Sequence, residues 1–309
     1  MASPPLRGDL ADTPTVGAYK LAIGELYDYA TSLLGNSSTA TASDSEKQLA
    51  RSALGVSESG QKNKIINGIF AINQRAVSGT VNLSAGAYGH DRFKAGSAGC
   101  SYTFSTVGGV TTITIASGTL TQVVDGINIK SGAHVLSWSG TAQGRINSGT
   151  YGASGTVKAT LTNGTNATIE FNAGTLTMVQ LEFGETATGY DYRHYLTELN
   201  MCQHYFWRIT STVSQRSIGL AQVYSGTAGR ISLQNPVAMR ANPTSLEMVS
   251  VGLWQSGSTV TQASAFAVAS LSTDVVSFNL TGMTGLFAGD AATFVLIGVG
   301  GYISVSAEI

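Results

Sequence analysis

The chain has 309 residues, 17 Lys or Arg against 18 Asp or Glu, and a net charge of −1. Such a balance excludes a basic nucleic-acid binder, whose affinity rests on neutralising phosphates. Charged residues make up only 11%, against about a quarter in ordinary soluble domains, while 43% are hydrophobic and 37 are Gly; this is enough apolar material for a core, so the low complexity does not signal disorder.

The opening residues, Met1 to Thr13, carry Pro, Asp and Arg without periodicity and read as a flexible or partner-ordered arm. Thr15 can cap a helix, and Tyr19, Ile23, Leu26, Ala30 and Leu33 then recur at spacings of 4, 3, 4 and 3. That is an a/d stripe, the pattern of a self-associating helix seam, stopped by Gly35. Ser43 and Glu46 form a capping box for a short second helix ending at Leu54. Residues 1–60 are therefore expected to be a helical segment whose apolar stripe needs a partner, either its own domain or another copy of the chain.

From Ile65 the pattern changes to short strands between Gly-rich turns. Strands are expected at 65–70, 111–115, 120–124, 127–129, 135–138, 159–161, 168–171 and 176–183. This spacing predicts an antiparallel sandwich or jelly roll over 61–205. Leu196, Leu199 and Cys202 share one helical face, a short helix closing the module. A second β block, 206–309, is expected to hold strands near 218–223, 231–233, 246–253, 266–271, 275–280, 293–299 and 303–307. The fold class expected is mainly β: short N-terminal helices, a jelly-roll sandwich and a C-terminal β domain.

Catalytic and metal signatures are missing. There is no Walker loop, and the four histidines, His90, His134, His194 and His204, show no zinc spacing. His90-Asp91 lacks an elbow serine, and a turn salt-bridged through Asp91 and Arg92 is the simpler reading. Asp125, Glu170, Glu182, Glu185 and Asp191 are the carboxylates a glycosidase would draw on, but Glu182 and Glu185, three apart, cannot share a strand face. Neither catalytic residues nor a cofactor nor a metal is assigned. The two cysteines, Cys100 and Cys202, make no disulfide framework and are expected reduced in a core. No apolar leader opens the chain, and the longest apolar run, near 293–305, is broken by Gly298, Gly300 and Gly301, which argues against membrane insertion.

Aromatics are the remaining route to function, since a ring covers a sugar face by apolar burial. Trp138 alternates with Leu136 and is expected in the core; Trp207 is expected between the modules. Trp254 and Tyr224 end strands at polar turns and are the candidate receptor contacts. After Arg240 the only charged residues are Glu247, Asp274, Asp290 and Glu308, a surface suited to neutral polar sugars.

Three stretches resemble bacteriophage tail-fibre proteins. Ile66-Asn67-Gly68-Ile69-Phe70, followed by His90-Asp91-Arg92-Phe93, is similar to the opening strand and D-R-aromatic turn of their jelly-roll module. Val179-Gln180-Leu181-Glu182 through Thr188-Gly189-Tyr190, with Glu198 to Phe206, is similar to its closing strand and helix; Asn235 to Thr244 is similar to the turn opening a C-terminal fibre domain. The resemblance implies a homotrimer in the virion, assembled in the host cytoplasm. Its N-terminus would join a tail or baseplate protein, and its distal end would meet a host-surface glycan. The alternatives are a tail-associated polysaccharide depolymerase and a purely structural baseplate or head fibre.

Overall fold

A computed structural model describes residues 62–255 and 260–309. The stripe Tyr19, Ile23, Leu26, Ala30 and Leu33 and the second helix lie outside the described residues. The described chain is mainly β, and every strand pairing in it is antiparallel.

Eight strands build the first sheet: β1 (Val81–Leu83), β2 (Lys94–Val107), β3 (Val110–Val124), β4 (Gly132–Ser139), β5 (Gly144–Ile146), β6 (Val157–Leu161), β7 (Ala167–Phe171) and β8 (Gly174–Phe183). Their order is β1-β2-β3-β8-β4-β6, with β7 also pairing β3 and β5 pairing β7. The alternation of Ile113, Ile115 and Leu120 delivers one face of β3 to a core shared with Phe93, Tyr102, Trp138, Phe171, Leu176 and Leu181. The expected strands at 111–115 and 120–124 are one strand, bent at Gly118. There φ is +71°, and an added Cβ would stand 2.0 Å from the Gly99 carbonyl oxygen, so only glycine fits.

Two expected strands are not strands. Ile65 to Phe70 is a turn, with Asn67 and Phe70 at φ of 62° and 51°. Its buried backbone is satisfied by side chains instead of a ladder. Gln122 accepts from the Ile66 amide and donates to the Ile66 carbonyl, each at 2.8 Å, and Glu198 accepts from the Asn67 amide. Residues 127–129 fall in and just after a 3-10 turn, Gly126–Asn128, tied to Gly164 and Asn166.

After the first sheet comes α1 (Tyr195–Gln203), capped by His194. Cys202 is buried and Leu199 packs beside it in a small cluster with Ile66, Ile72 and Tyr205, whereas Leu196 faces solvent. Cys100 is buried in the first core, and neither cysteine is in a disulfide.

The second block holds β9 (Phe206–Thr210), β10 (Gln215–Ser225), β11 (Ala228–Gln234), β12 (Ser245–Val249), β13 (Val251–Gln255), β14 (Thr261–Gln262), β15 (Ala265–Leu271), β16 (Val275–Thr281), β17 (Ala291–Ile297) and β18 (Tyr302–Ser306). Seven form a sheet in the order β14-β13-β17-β10-β11-β16-β15, and three form β12-β18-β9. The single strand expected at 246–253 divides at Ser250, where φ is 51°, and its halves join different sheets. Trp207, expected between the modules, instead sits in the second core with Phe278, Phe294 and Ile303, its Nε1 donating to Asn235 Oδ1 at 3.1 Å.

Buried histidines give the fold a pH dependence. His90 lies against Tyr102, with its Nδ1 2.9 Å from the hydroxyl, and burial lowers its pKa from 6.5 to about 4. Below pH 6.5 the unfolded imidazole takes a proton that the folded one refuses, so stability falls as pH drops from 6.5 to 4, by about 3 kcal/mol for this group. Burial lowers His134 in the same direction. Asp91, raised by burial, works against this slope at the acid end, because the folded carboxyl keeps its proton above pH 3.8. Urea titrations between pH 4 and 7 should show the loss, and His90→Gln should flatten it; an equally steep slope in the variant would contradict this origin.

Candidate functional site

Two places in the fold concentrate functional side chains: a buried ionic junction and an exposed aromatic corner.

The junction ties the first sheet to the last residues of the chain. Arg92 occupies a tight turn at φ 69°, closed by the Phe93 amide donating to the His90 carbonyl at 3.0 Å. Its guanidinium stacks 3.5 Å over the Tyr205 ring, donates to the Val123 carbonyl at 2.8 Å and pairs with Glu308. Arg75 lies 3.4 Å from Glu308 and 3.7 Å from Asp91, stacked on Phe206. Asp91 also accepts from the Gln74 amide and side chain, at 2.6 and 2.8 Å. The Tyr88 hydroxyl and Lys94 Nζ donate to the Ile309 carbonyl at 2.5 and 2.6 Å. The expected salt-bridged turn at Asp91 and Arg92 is present, with Asp91 paired to Arg75 and Arg92 to Glu308. With every charge stacked, paired or hydrogen-bonded, the cluster reads as a clasp.

Four of the five candidate carboxylates are likewise engaged. Glu182, buried, accepts from the Thr188 amide and hydroxyl, both at 2.7 Å, and from Gln180 at 2.9 Å, which folds the loop after β8 back onto the strand. Glu170 pairs with Arg145 at 2.9 Å and accepts from Tyr151; Asp125 faces Arg240 at 3.8 Å. Asp191 faces the Asn63 amide at 3.4 Å, and Glu185 is exposed.

Trp254 and Tyr224 belong to the seven-stranded sheet. In β10, Ala221 and Val223 are buried while Leu220, Gln222 and Tyr224 are exposed, so these three share the outer face. In β13, Trp254 stands between buried Leu253 and Gln255 and pairs with Thr293 of β17, which in turn pairs with Leu220. Trp254 and Leu220 are thus in one row, about 10 Å apart, and Tyr224 is about 13 Å further along β10. Tyr224 falls at a bulge between Val223 and Ser225, a device that re-aims a side chain at a strand end.

A third aromatic joins them. Phe287, 63% exposed, lies in the loop between β16 and β17. Gln255, the residue after Trp254, accepts from the Phe287 amide at 2.9 Å and donates to its carbonyl at 3.0 Å and to Asp290 at 3.1 Å. The loop is also pinned to β10, where the Val223 carbonyl accepts from Gly289 at 2.9 Å and the Val223 amide donates to the Asp290 carbonyl at 3.0 Å. One loop therefore binds the strand ends bearing Trp254 and Tyr224, at 47% and 48% exposure, and itself exposes Phe287 at the same end of the sheet. Sequence reading passed over Phe287; its signal is an aromatic inside Gly285-Leu286-Phe287-Ala288-Gly289.

Gln255→Leu should leave the loop's buried amide and carbonyl unpaired and destabilise the chain by about 1–3 kcal/mol, with faster proteolysis at 284–289. Unchanged denaturation and cleavage would show that the loop is held otherwise.

Comparison with family models, with curated proteins and with solved structures gives no match to this chain.

Proposed function

We propose that the chain is a bacteriophage tail fibre that adsorbs the virion to a host-surface glycan. The observation that carries the reading is the pair Trp254 and Tyr224, two exposed aromatics on a sheet face shared with Leu220, Gln222, Thr293, Ser232 and the single charge of Arg230, with Phe287 exposed on the loop at the end of that sheet. Such a face offers ring surfaces for sugar C–H groups and amides and hydroxyls for their hydroxyls, with the one ion, Arg230, already hydrogen-bonded to Asn279. The residues that carry the tail-fibre resemblance, His90-Asp91-Arg92-Phe93 and Val179 to Tyr190, supply the core, the clasp and the loop after β8, so the resemblance speaks to architecture and leaves binding to the corner.

In this reading residues 61–205 are the jelly-roll module and 206–309 the distal domain. Residues 1–60 form the homotrimer's helical seam and its docking point on the tail or baseplate. Each site is weak, and avidity comes from repetition: linked copies raise it by about 10²–10⁴.

The test is binding of the purified chain to lipopolysaccharide or capsular polysaccharide isolated from the host. Saturable binding without new reducing ends supports the reading. Release of reducing ends would make the protein a depolymerase, and the lack of binding to any envelope glycan would leave a purely structural fibre.

A further inference from the structure

We infer that Thr188 and Gln180 become joined by an intramolecular ester, which the chain forms on itself with Glu182 as the base and with loss of ammonia. The three side chains meet where the loop after β8 lies back on that strand. Gln180 and Glu182 stand two apart on one face of β8, the first fully and the second almost fully buried. One oxygen of Glu182 accepts from the Thr188 hydroxyl at 2.7 Å, and the other accepts from the Gln180 side-chain amide at 2.9 Å. A single carboxylate thus holds a nucleophile on one side and the leaving group of a carboxamide on the other.

Tying down a loop needs less than this, and the Thr188 backbone amide, donating to Glu182 at 2.7 Å, already does it. The further contacts are those of acyl transfer. The Gln180 side-chain carbonyl accepts from the Asp191 amide at 2.8 Å, which fixes the orientation of the carboxamide. It also puts a donor where negative charge develops when the carbonyl carbon is attacked. Lys62 Nζ donates to the Thr188 hydroxyl oxygen at 2.5 Å, so a cation stands beside the oxygen that must lose its proton. Lys62 and the Gln180 amide share the Gly189 carbonyl, at 2.8 and 3.3 Å, so nucleophile, base, carboxamide and cation lie in one hydrogen-bonded cluster.

The step balances without a co-reactant. Glu182 takes the hydroxyl proton of Thr188 as Oγ1 bonds to Gln180 Cδ, and the carbonyl electron pair moves onto its oxygen. Glu182 then gives that proton to Nε2, the C–N bond breaks, the carbonyl re-forms and ammonia leaves. Holding alcohol and amide together in the fold removes the entropy cost of their encounter, and the burial of Gln180 keeps water from reopening the ester. The product is a covalent brace from β8 to its own loop, and it does not rest on the glycan reading.

Mass spectrometry of the purified full chain, read under denaturing conditions, tests it. The wild-type chain should be lighter than its sequence by one ammonia, and Thr188→Val should have the full mass. After trypsin the deficit should lie in the single peptide 159–193. Cleavage after Glu182 or Glu185 should leave its pieces joined until hydroxylamine, which opens esters and spares amides, separates them. A wild-type chain of full mass would overturn the inference. So would a deficit that survives Thr188→Val, or one that maps to Asn163-Gly164 as a succinimide. A hydroxylamine-resistant link between the peptides of Lys62 and Gln180 would overturn it too, since that bond is an amide.

Discussion

Arg92→Ala should destabilise the protein by about 3–5 kcal/mol, the cost of leaving a buried carboxylate without its partner. Glu308 is buried between Arg92 and Arg75, and removing Arg92 also strips the stacking on Tyr205 and a hydrogen bond to Val123. The effect should be larger than that of deleting the more exposed Arg145–Glu170 pair, where water already competes and the expected loss is about 0–1 kcal/mol. A second consequence distinguishes a clasp from an ordinary core contact. Arg92 and Glu308 are 216 residues apart and join the cores of the two halves. Arg92→Ala should therefore split one unfolding transition into two, seen as non-coincident near-ultraviolet and Trp fluorescence curves in urea. Coincident curves at the wild-type midpoint would show that the halves are coupled elsewhere.

The second large effect concerns recognition. Trp254→Ala removes the widest ring of the corner and should weaken a single glycan contact by about 1–3 kcal/mol, judged by the burial of a large side chain. In the multivalent fibre proposed above the losses would compound across engaged sites, so adsorption should fall by about tenfold or more while stability changes little at so exposed a position. Phe287→Ala should act in the same direction. Leu220→Ala, on the same face but one strand beyond Thr293, should act less, since it offers no ring. A Trp254→Ala chain that binds as tightly as wild type would move the site off this corner.

Parts of the second sheet are readable in advance, where its strands alternate. Val276, Phe278 and Leu280 repeat every second residue, and so do Ala292 and Phe294, all buried. β2 is harder: Lys-Ala-Gly-Ser-Ala-Gly-Cys-Ser carries too few apolar residues to mark a face, and its strand character comes from pairing with β1 and β3. Ile65 to Phe70 misleads for the opposite reason. Its residues are apolar enough for a strand, but Gln122 and Glu198, distant in sequence, take up the backbone bonds that a ladder would have made. The clasp was invisible for the same cause: nothing local connects His90-Asp91-Arg92 with Glu308. In the candidate site, Trp254 and Tyr224 were legible as aromatics at strand ends, while Phe287 required the fold to bring its loop to Gln255.

The most direct test of the account is adsorption competition with the full soluble chain. Added to host cells ahead of phage, wild-type protein should block adsorption, and the Trp254→Ala/Phe287→Ala double variant should need at least a hundredfold higher concentration. Equal blocking by both proteins would contradict the assignment of the receptor face to this corner of the second sheet.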